Sequence, residues 1–224
     1  MRLFIAFEKS FALRHIGHLD LLRVMQRALR RSGLPVAYSQ GFNPHMLIAF
    51  ASPLPVGQSG REELADVTFE RNITGKDCLK ALQPVMPKGL PIISVRIVPD
   101  DHPKLMAMLR TASYMTRVDG EPDSAAKMAD AVKPFLARDT IPAVRISKSG
   151  SAEVDIRPML HELSYIEALS AFHARVSFTE RETLKPDLLI RTLAQFAGVD
   201  EPDTLIERVR LFGERGGPIP LLDC

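Results

Sequence analysis

Two short stretches of the chain collect the side chains able to do acid–base or metal chemistry. His15, His18 and Asp20 stand at the start of a helical pattern, and Tyr38, Ser39, Asn43 and His45 follow a strand pattern. A histidine titrating near neutrality serves as a general base, with a second histidine or Tyr38 as the acid. Metal-independent RNA cleavage by His15, His18, His45 and Tyr38 is therefore one chemistry open to these residues. Zinc binding is another, because His15-x-x-His18 has usable spacing and Asp20 or His45 would be a third ligand. No helix lies beneath both histidines and the ligand set is not closed, so no metal is expected. In the plainer reading, His18 packs or caps the helix start and His45 closes a turn. Loops on either side of a β-α-β unit need not share a sheet edge, so the two stretches need not meet.

A third feature is electrostatic. Arg23, Arg27, Arg30 and Arg31 fall on one arc of the helical projection over His18 to Ser32, faced only by Asp20, while Leu21, Leu22, Val24, Met25, Ala28 and Leu29 occupy the other. Ordinary solvated surface is the bland account. Clustered arginines repel one another, however, and a phosphate backbone relieves that repulsion with forked hydrogen bonds. The net charge is only +2. Residues 1 to 60 hold seven Lys and Arg against Glu8 and Asp20, so the basic footprint is N-terminal. Trp is absent and Tyr occurs three times, which argues against an open sheet with stacked bases.

Cysteine count excludes more than charge does. Cys78 and Cys224 alone cannot hold a cysteine-ligated iron–sulfur cluster or a four-cysteine zinc site, nor build a disulfide framework. They read as a core residue and a terminal passenger, and no cofactor is expected. With 46% hydrophobic and 25% charged residues over 224 positions, one large domain or two small ones is expected. No apolar run approaches a membrane span, and the run ending at Phe7 is too short for a signal sequence, so a cytoplasmic protein is expected.

These residues need elements to position them. Strands are expected at Arg2 to Phe7, Leu34 to Tyr38, Met46 to Ala51, an alternating Leu64 to Glu70, and Ile92 to Val98, with a second helix after the Thr74/Asp77 capping signature that turns Cys78, Leu79, Leu82 and Val85 inward. The order is that of a ferredoxin-like split unit with one extra strand. A similar order follows: a strand at 113 to 118, and a helix from Ser124 built on Met128, Val132 and Phe135 that Pro134 kinks or ends. Strands at 142 to 147 and 152 to 156 are joined by Ser147-Lys148-Ser149-Gly150. Two more, at 162 to 169 and 172 to 178, precede a helix over Lys185 to Ala197 and a strand over Leu205 to Phe212. The expected fold is α+β, two tandem ferredoxin-like modules with antiparallel sheets, residues 1–99 and 110–224, joined across Pro99 to Leu109. Gly213 to Pro218 reads as a flexible tail.

Several of these segments carry a resemblance. His18-Leu19-Asp20-Leu21, Arg27 to Ser39, Gly41-Phe42-Asn43-Pro44-His45 and Pro53-Leu54-Pro55-Val56-Gly57 resemble the bacterial radical SAM-associated (radical SAM-linked) protein family, a domain of unknown function. Val154-Asp155-Ile156-Arg157-Pro158 and Leu184-Lys185-Pro186-Asp187-Leu188 are similar to its later motifs. Gly17 departs from the family's frequent Ser and removes a side-chain helix cap. The resemblance implies a radical SAM iron–sulfur protein as partner, because members are encoded beside or fused to one, often near genes for ribosomal proteins and an RNA-degrading enzyme. The tandem order also looks like RNA-processing endoribonucleases of CRISPR systems. The expected function is a non-catalytic accessory of a radical SAM enzyme that binds RNA, with Arg23, Arg27, Arg30 and Arg31 on phosphate and His18, Asp20, Tyr38, Asn43 and His45 as the specific site. A metal-independent endoribonuclease and a pure protein-interaction module are the alternatives.

Overall fold

Leu3, Ile5 and Phe7 alternate with Phe4 and Ala6 along the first strand, and all five are buried, so this strand is covered on both faces. A computed structural model describes residues 1–119, 122–147 and 150–224 and shows how. The elements are β1 (Arg2–Lys9), α1 (His18–Arg31), β2 (Ile48–Phe50), β3 (Ser59–Thr68), α2 (Gly75–Leu82), β4 (Ile92–Val98), α3 (Leu105–Met108) and β5 (Thr111–Asp119). After them come α4 (Pro122–Leu136), β6 (Pro142–Ser147), β7 (Gly150–Asp155), β8 (Leu160–Ile166), β9 (Ala171–Ser177), α5 (Pro186–Phe196), β10 (Asp203–Glu214) and β11 (Pro218–Pro220). The protein is mixed α+β with mostly antiparallel pairing. It divides into two compact units, Met1–Leu109 with Arg210–Cys224, and Arg110–Val209. The closing residues thus group with the first unit, whereas sequence order alone places them in the second module.

In the first unit β1 pairs antiparallel with β3 and β4, and β2 pairs with β3. Helices α1 and α2 lay Leu21, Met25, Leu29, Cys78 and Leu82 over Leu3, Ile5 and Phe7. Thr74 caps α2 as the sequence implies, its hydroxyl accepting from the Asp77 N–H at 3.0 Å. The other face of β1 is covered by the segment expected to be a linker. There the Arg2 guanidinium donates to both Asp66 oxygens at 3.2 and 2.6 Å and to the carbonyls of Asp100 and His102. The His102 ring meets Phe4 edge-on at 5.3 Å, and Leu105 and Leu109 are buried. Pro99 to Leu109 is therefore structural. Two covered faces also explain why β3 does not alternate: Glu63 through Val67 are all buried.

The expected strand Leu34 to Tyr38 is absent. Its residues make only the isolated bridges Val36 to Phe69 and Tyr38 to Met46, since Pro35 has no N–H for a continuous ladder. The tail is ordered into a hairpin, with Phe212 opposite Pro220 and Gly216 at φ +70°, and Leu221 is buried. Gly213 to Pro218 is thus a turn between strands.

In the second unit β9 pairs antiparallel with β5 and β8, and β6 with β7 forms a separate ribbon. Met128 and Phe135 of α4 are buried, and Phe135 packs edge-on against Phe196 of α5 at 5.3 Å. Pro134 does not end α4, which runs to Leu136. The strand expected over 162–169 stops at Ile166 and gives way to a turn closed by Ser170 at φ 45°. Lys148 and Ser149 of the expected 147–150 turn lie outside the described residues.

Candidate functional site

The strand β1 ends in Lys9, a charge at the close of an apolar run, and its side chain is buried. Its ammonium donates to the carbonyls of Arg14 at 3.1 Å, Ile16 at 2.9 Å and Gln58 at 3.1 Å. A buried ammonium is tolerated only where such acceptors replace water. The Gly57 N–H donates to the same Arg14 carbonyl at 2.8 Å, and a Cβ on Gly17 would sit 3.8 Å from Val56. The loop before α1 is thereby tied to the segment Pro53 to Gln58, and two of the sequence motifs become neighbours.

This loop and the first turn of α1 hold three of the expected residues. His15 is exposed. His18 opens α1 and sets its ring edge-on to Phe50 at 5.5 Å, with Nδ1 buried and without a hydrogen-bond partner among the described residues. The packing reading holds for this ring. Asp20 accepts from Arg23 at 2.9 Å on the surface, and Gly17 gives α1 no side-chain cap. Around them Phe11, Leu19 and Val56 are exposed. The Arg14 guanidinium stacks on the Phe11 ring at 3.9 Å and donates to the Phe11 carbonyl at 3.1 Å.

Along α1 the arginine stripe faces outward. Arg23, Arg27, Arg30 and Arg31 are all exposed. Arg31 donates to the Val85 carbonyl at 2.8 Å. Among the described residues, the side chains of Arg27 and Arg30 have neither an acid nor a hydrogen-bond acceptor.

Tyr38, Asn43 and His45 lie elsewhere. Lys9 pairs with Gly60 at one end of β3 and Arg2 with Thr68 at the other, eight residues and about 26 Å apart at ~3.3 Å each. The bridge Val36 to Phe69 places the 38–46 loop at the Thr68 end. There Ser39 Oγ lies 2.8 Å from His45 Nδ1 and accepts from the His45 N–H at 3.1 Å, so His45 does close a turn. Gly41 takes φ +122°, Asn43 is exposed, and Phe42 projects fully into solvent. His45 also lines a cavity of about 210 Å³ with Asp66, Thr68 and Lys104. The expected specific site is not joined: the His18 ring packs on Phe50, which pairs with Ala65, while His45 bonds to Ser39 in the loop beyond Thr68, and among the described residues no hydrogen bond, ion pair or ring contact links His15, His18 or Asp20 to Tyr38, Asn43 or His45.

The remaining reactive groups have structural explanations. Burial pushes the Cys78 thiol up to about 11, which leaves little thiolate at neutral pH. Asp155, in the Val154 to Pro158 motif, accepts from the N–H groups of Ile141 at 2.8 Å and Arg157 at 3.0 Å, and these donors hold its carboxyl below the ordinary range. Among the described residues no group of three or more His, Cys, Asp or Glu is placed to hold a metal ion, and no helix is long and apolar enough to cross a membrane. Sequence reasoning missed Lys9, the Arg2–Asp66 pair and the Phe11–Arg14 stack. A charge at each end of the apolar run Leu3 to Phe7 was the available signal for the first two.

A model of the family DUF2344, described as an uncharacterized protein conserved in bacteria, matches residues 2–186. The chain belongs to this family. No curated protein matches it. The family span takes in both loops, the arginine stripe and the Asp155 turn, and stops at the first residue of α5.

Proposed function

We propose that this DUF2344 protein is a non-catalytic, cytoplasmic RNA-binding accessory of a radical SAM iron–sulfur enzyme. The observation that carries the RNA part is the outward stripe Arg23, Arg27, Arg30 and Arg31, in which Arg27 and Arg30 have no acid to satisfy them among the described residues. Bidentate guanidinium forks suit phosphate oxygens, and counterion release drives such binding. The partner rests on the motif resemblance and on cysteine arithmetic, since a cluster would have to come from another chain. We read each unit as a ferredoxin-like module, supported by the order β4-β1-β3-β2 in the first and β8-β9-β5 in the second. Cleavage by a pair of His18 and His45 draws no support from their contacts, since the His18 ring packs on Phe50 and the His45 ring bonds to Ser39.

Replacing Arg23, Arg27 and Arg30 with Gln tests the proposal. Affinity for an oligoribonucleotide, read by fluorescence anisotropy at several salt concentrations, is expected to fall similarly across sequences. The slope of log affinity against log salt should flatten by about 0.7 for each phosphate that is no longer neutralised. Stability should stay within about 0.5 kcal/mol, because the face is exposed. Unchanged affinity in the triple variant makes the stripe ordinary surface. Anaerobic copurification tests the partner: an iron–sulfur protein should accompany the chain, while the isolated chain holds no cluster.

A further inference from the structure

A stripe of arginines gives phosphate binding with no place for a base. We infer that the Phe11–Arg14 stack is that place, a platform on which one base of single-stranded RNA lies while its backbone follows the stripe of α1; this rests on the RNA-binding reading above.

Three observations carry it. The first is geometric: Arg14 Cζ lies 3.9 Å from the Phe11 ring centroid, and Arg14 Nη1 donates to the Phe11 carbonyl at 3.1 Å. The guanidinium is therefore held in place before any ligand arrives, and a flat cation of this kind is a surface on which RNA bases stack. The second is rigidity. The Arg14 carbonyl accepts from both Lys9 Nζ and the Gly57 N–H, so the backbone carrying the platform is fixed by a buried charge and by the facing turn. Preorganisation of this kind lowers the ordering cost of binding. The third is placement. Phe11 is half exposed, with Val56 exposed on the facing segment and Leu19 exposed in the first turn of α1, which begins four residues after Arg14 and carries the arginines. Phe42 is more exposed than Phe11. Yet no cation is stacked on it among the described residues, and its loop is closed by Ser39, His45 and the Tyr38–Met46 bridge rather than by a buried charge.

The test uses the full chain and an oligouridylate probe. Phe11→Ala should weaken binding by about 5- to 150-fold, the range for losing one stacked base, while leaving the salt slope unchanged. Arg14→Lys keeps the charge and loses the plane, so it should weaken binding with the same unchanged slope. Phe11→Trp should restore affinity, which separates stacking from folding if Phe11→Ala proves unstable. With 5-iodouridine in the probe, photocrosslinks should map to Phe11. Full affinity in a folded Phe11→Ala variant, or crosslinks at Phe42 alone, overturns the platform. In either case the triple arginine variant still reports on the phosphate reading. Absence of probe binding by the unaltered protein overturns both.

Discussion

The two ends of β1 are built on opposite principles. At the Lys9 end, a buried ammonium gathers carbonyls from two segments more than forty residues apart, Arg14 and Ile16 on one side and Gln58 on the other. At the Arg2 end, the buried charge is directed inward to Asp66 and the covering segment, and the nearby 38–46 loop closes on itself through Ser39 and His45. Both loops carry a histidine and an exposed phenylalanine. Only one is anchored to the core by a buried charge. Rigid placement of exposed groups is what a binding surface needs, so the anchored end is the stronger candidate.

The largest break in this comparison comes from Lys9→Met. Carbonyls of Arg14, Ile16 and Gln58 lose a charged donor that contributes about 1.5–3 kcal/mol per bond, so a stability loss of about 3 kcal/mol or more is expected in urea unfolding. Amide exchange at Gly57 should accelerate with it, because its acceptor is the Arg14 carbonyl. Stability equal to the parent's would mean that the loop owes its order to something other than this anchor.

A matched glycine pair sharpens the contrast at a smaller magnitude. Gly57 has φ +90° and Gly41 φ +122°, and a Cβ at either meets nothing within 4 Å. Alanine at each position therefore costs backbone strain alone, about 1–2 kcal/mol. Gly57→Ala should also weaken oligouridylate binding, since a backbone that relaxes away from φ +90° shifts the N–H that holds the Arg14 carbonyl, whereas Gly41→Ala should leave affinity intact. The reverse pattern would move the interface to the Ser39–His45 end.

Local signals in the sequence reached the elements they govern. Thr74 and Asp77 capped a helix, Gly198 with φ +68° followed α5, and the α1 projection sorted arginines from leucines correctly. What stayed hidden was long-range. Pro99 to Leu109 has the composition of a linker, and only the buried Arg2, 98 residues before Asp100, shows why it is held down. The tail looked flexible because Gly216 marks a turn, and the turn became half of a hairpin only once Phe212 met Pro220. His18 and His45 share one expected site because each stands in a polar stretch, and the sequence holds no signal that the two stretches meet. Nothing local to either records that the His18 ring packs on Phe50 while the His45 ring bonds to Ser39.

The smallest expected effect is at His45. Ser39 Oγ bonds to it both at the ring and at the backbone N–H, and both bonds are exposed. Ser39→Ala removes both, at about 1 kcal/mol given a net ~0.5–1.5 kcal/mol per hydrogen bond and solvent as a ready substitute. His45→Gln removes only the bond to the ring, and the backbone bond still closes the turn, so its cost should be the lesser and under about 1 kcal/mol. Affinity for oligouridylate should be unchanged in both variants, because neither side chain contributes to the Phe11–Arg14 stack or to the Lys9 anchor. A folded His45→Gln variant that no longer binds would place recognition at the self-closed loop and invert the contrast between the two ends.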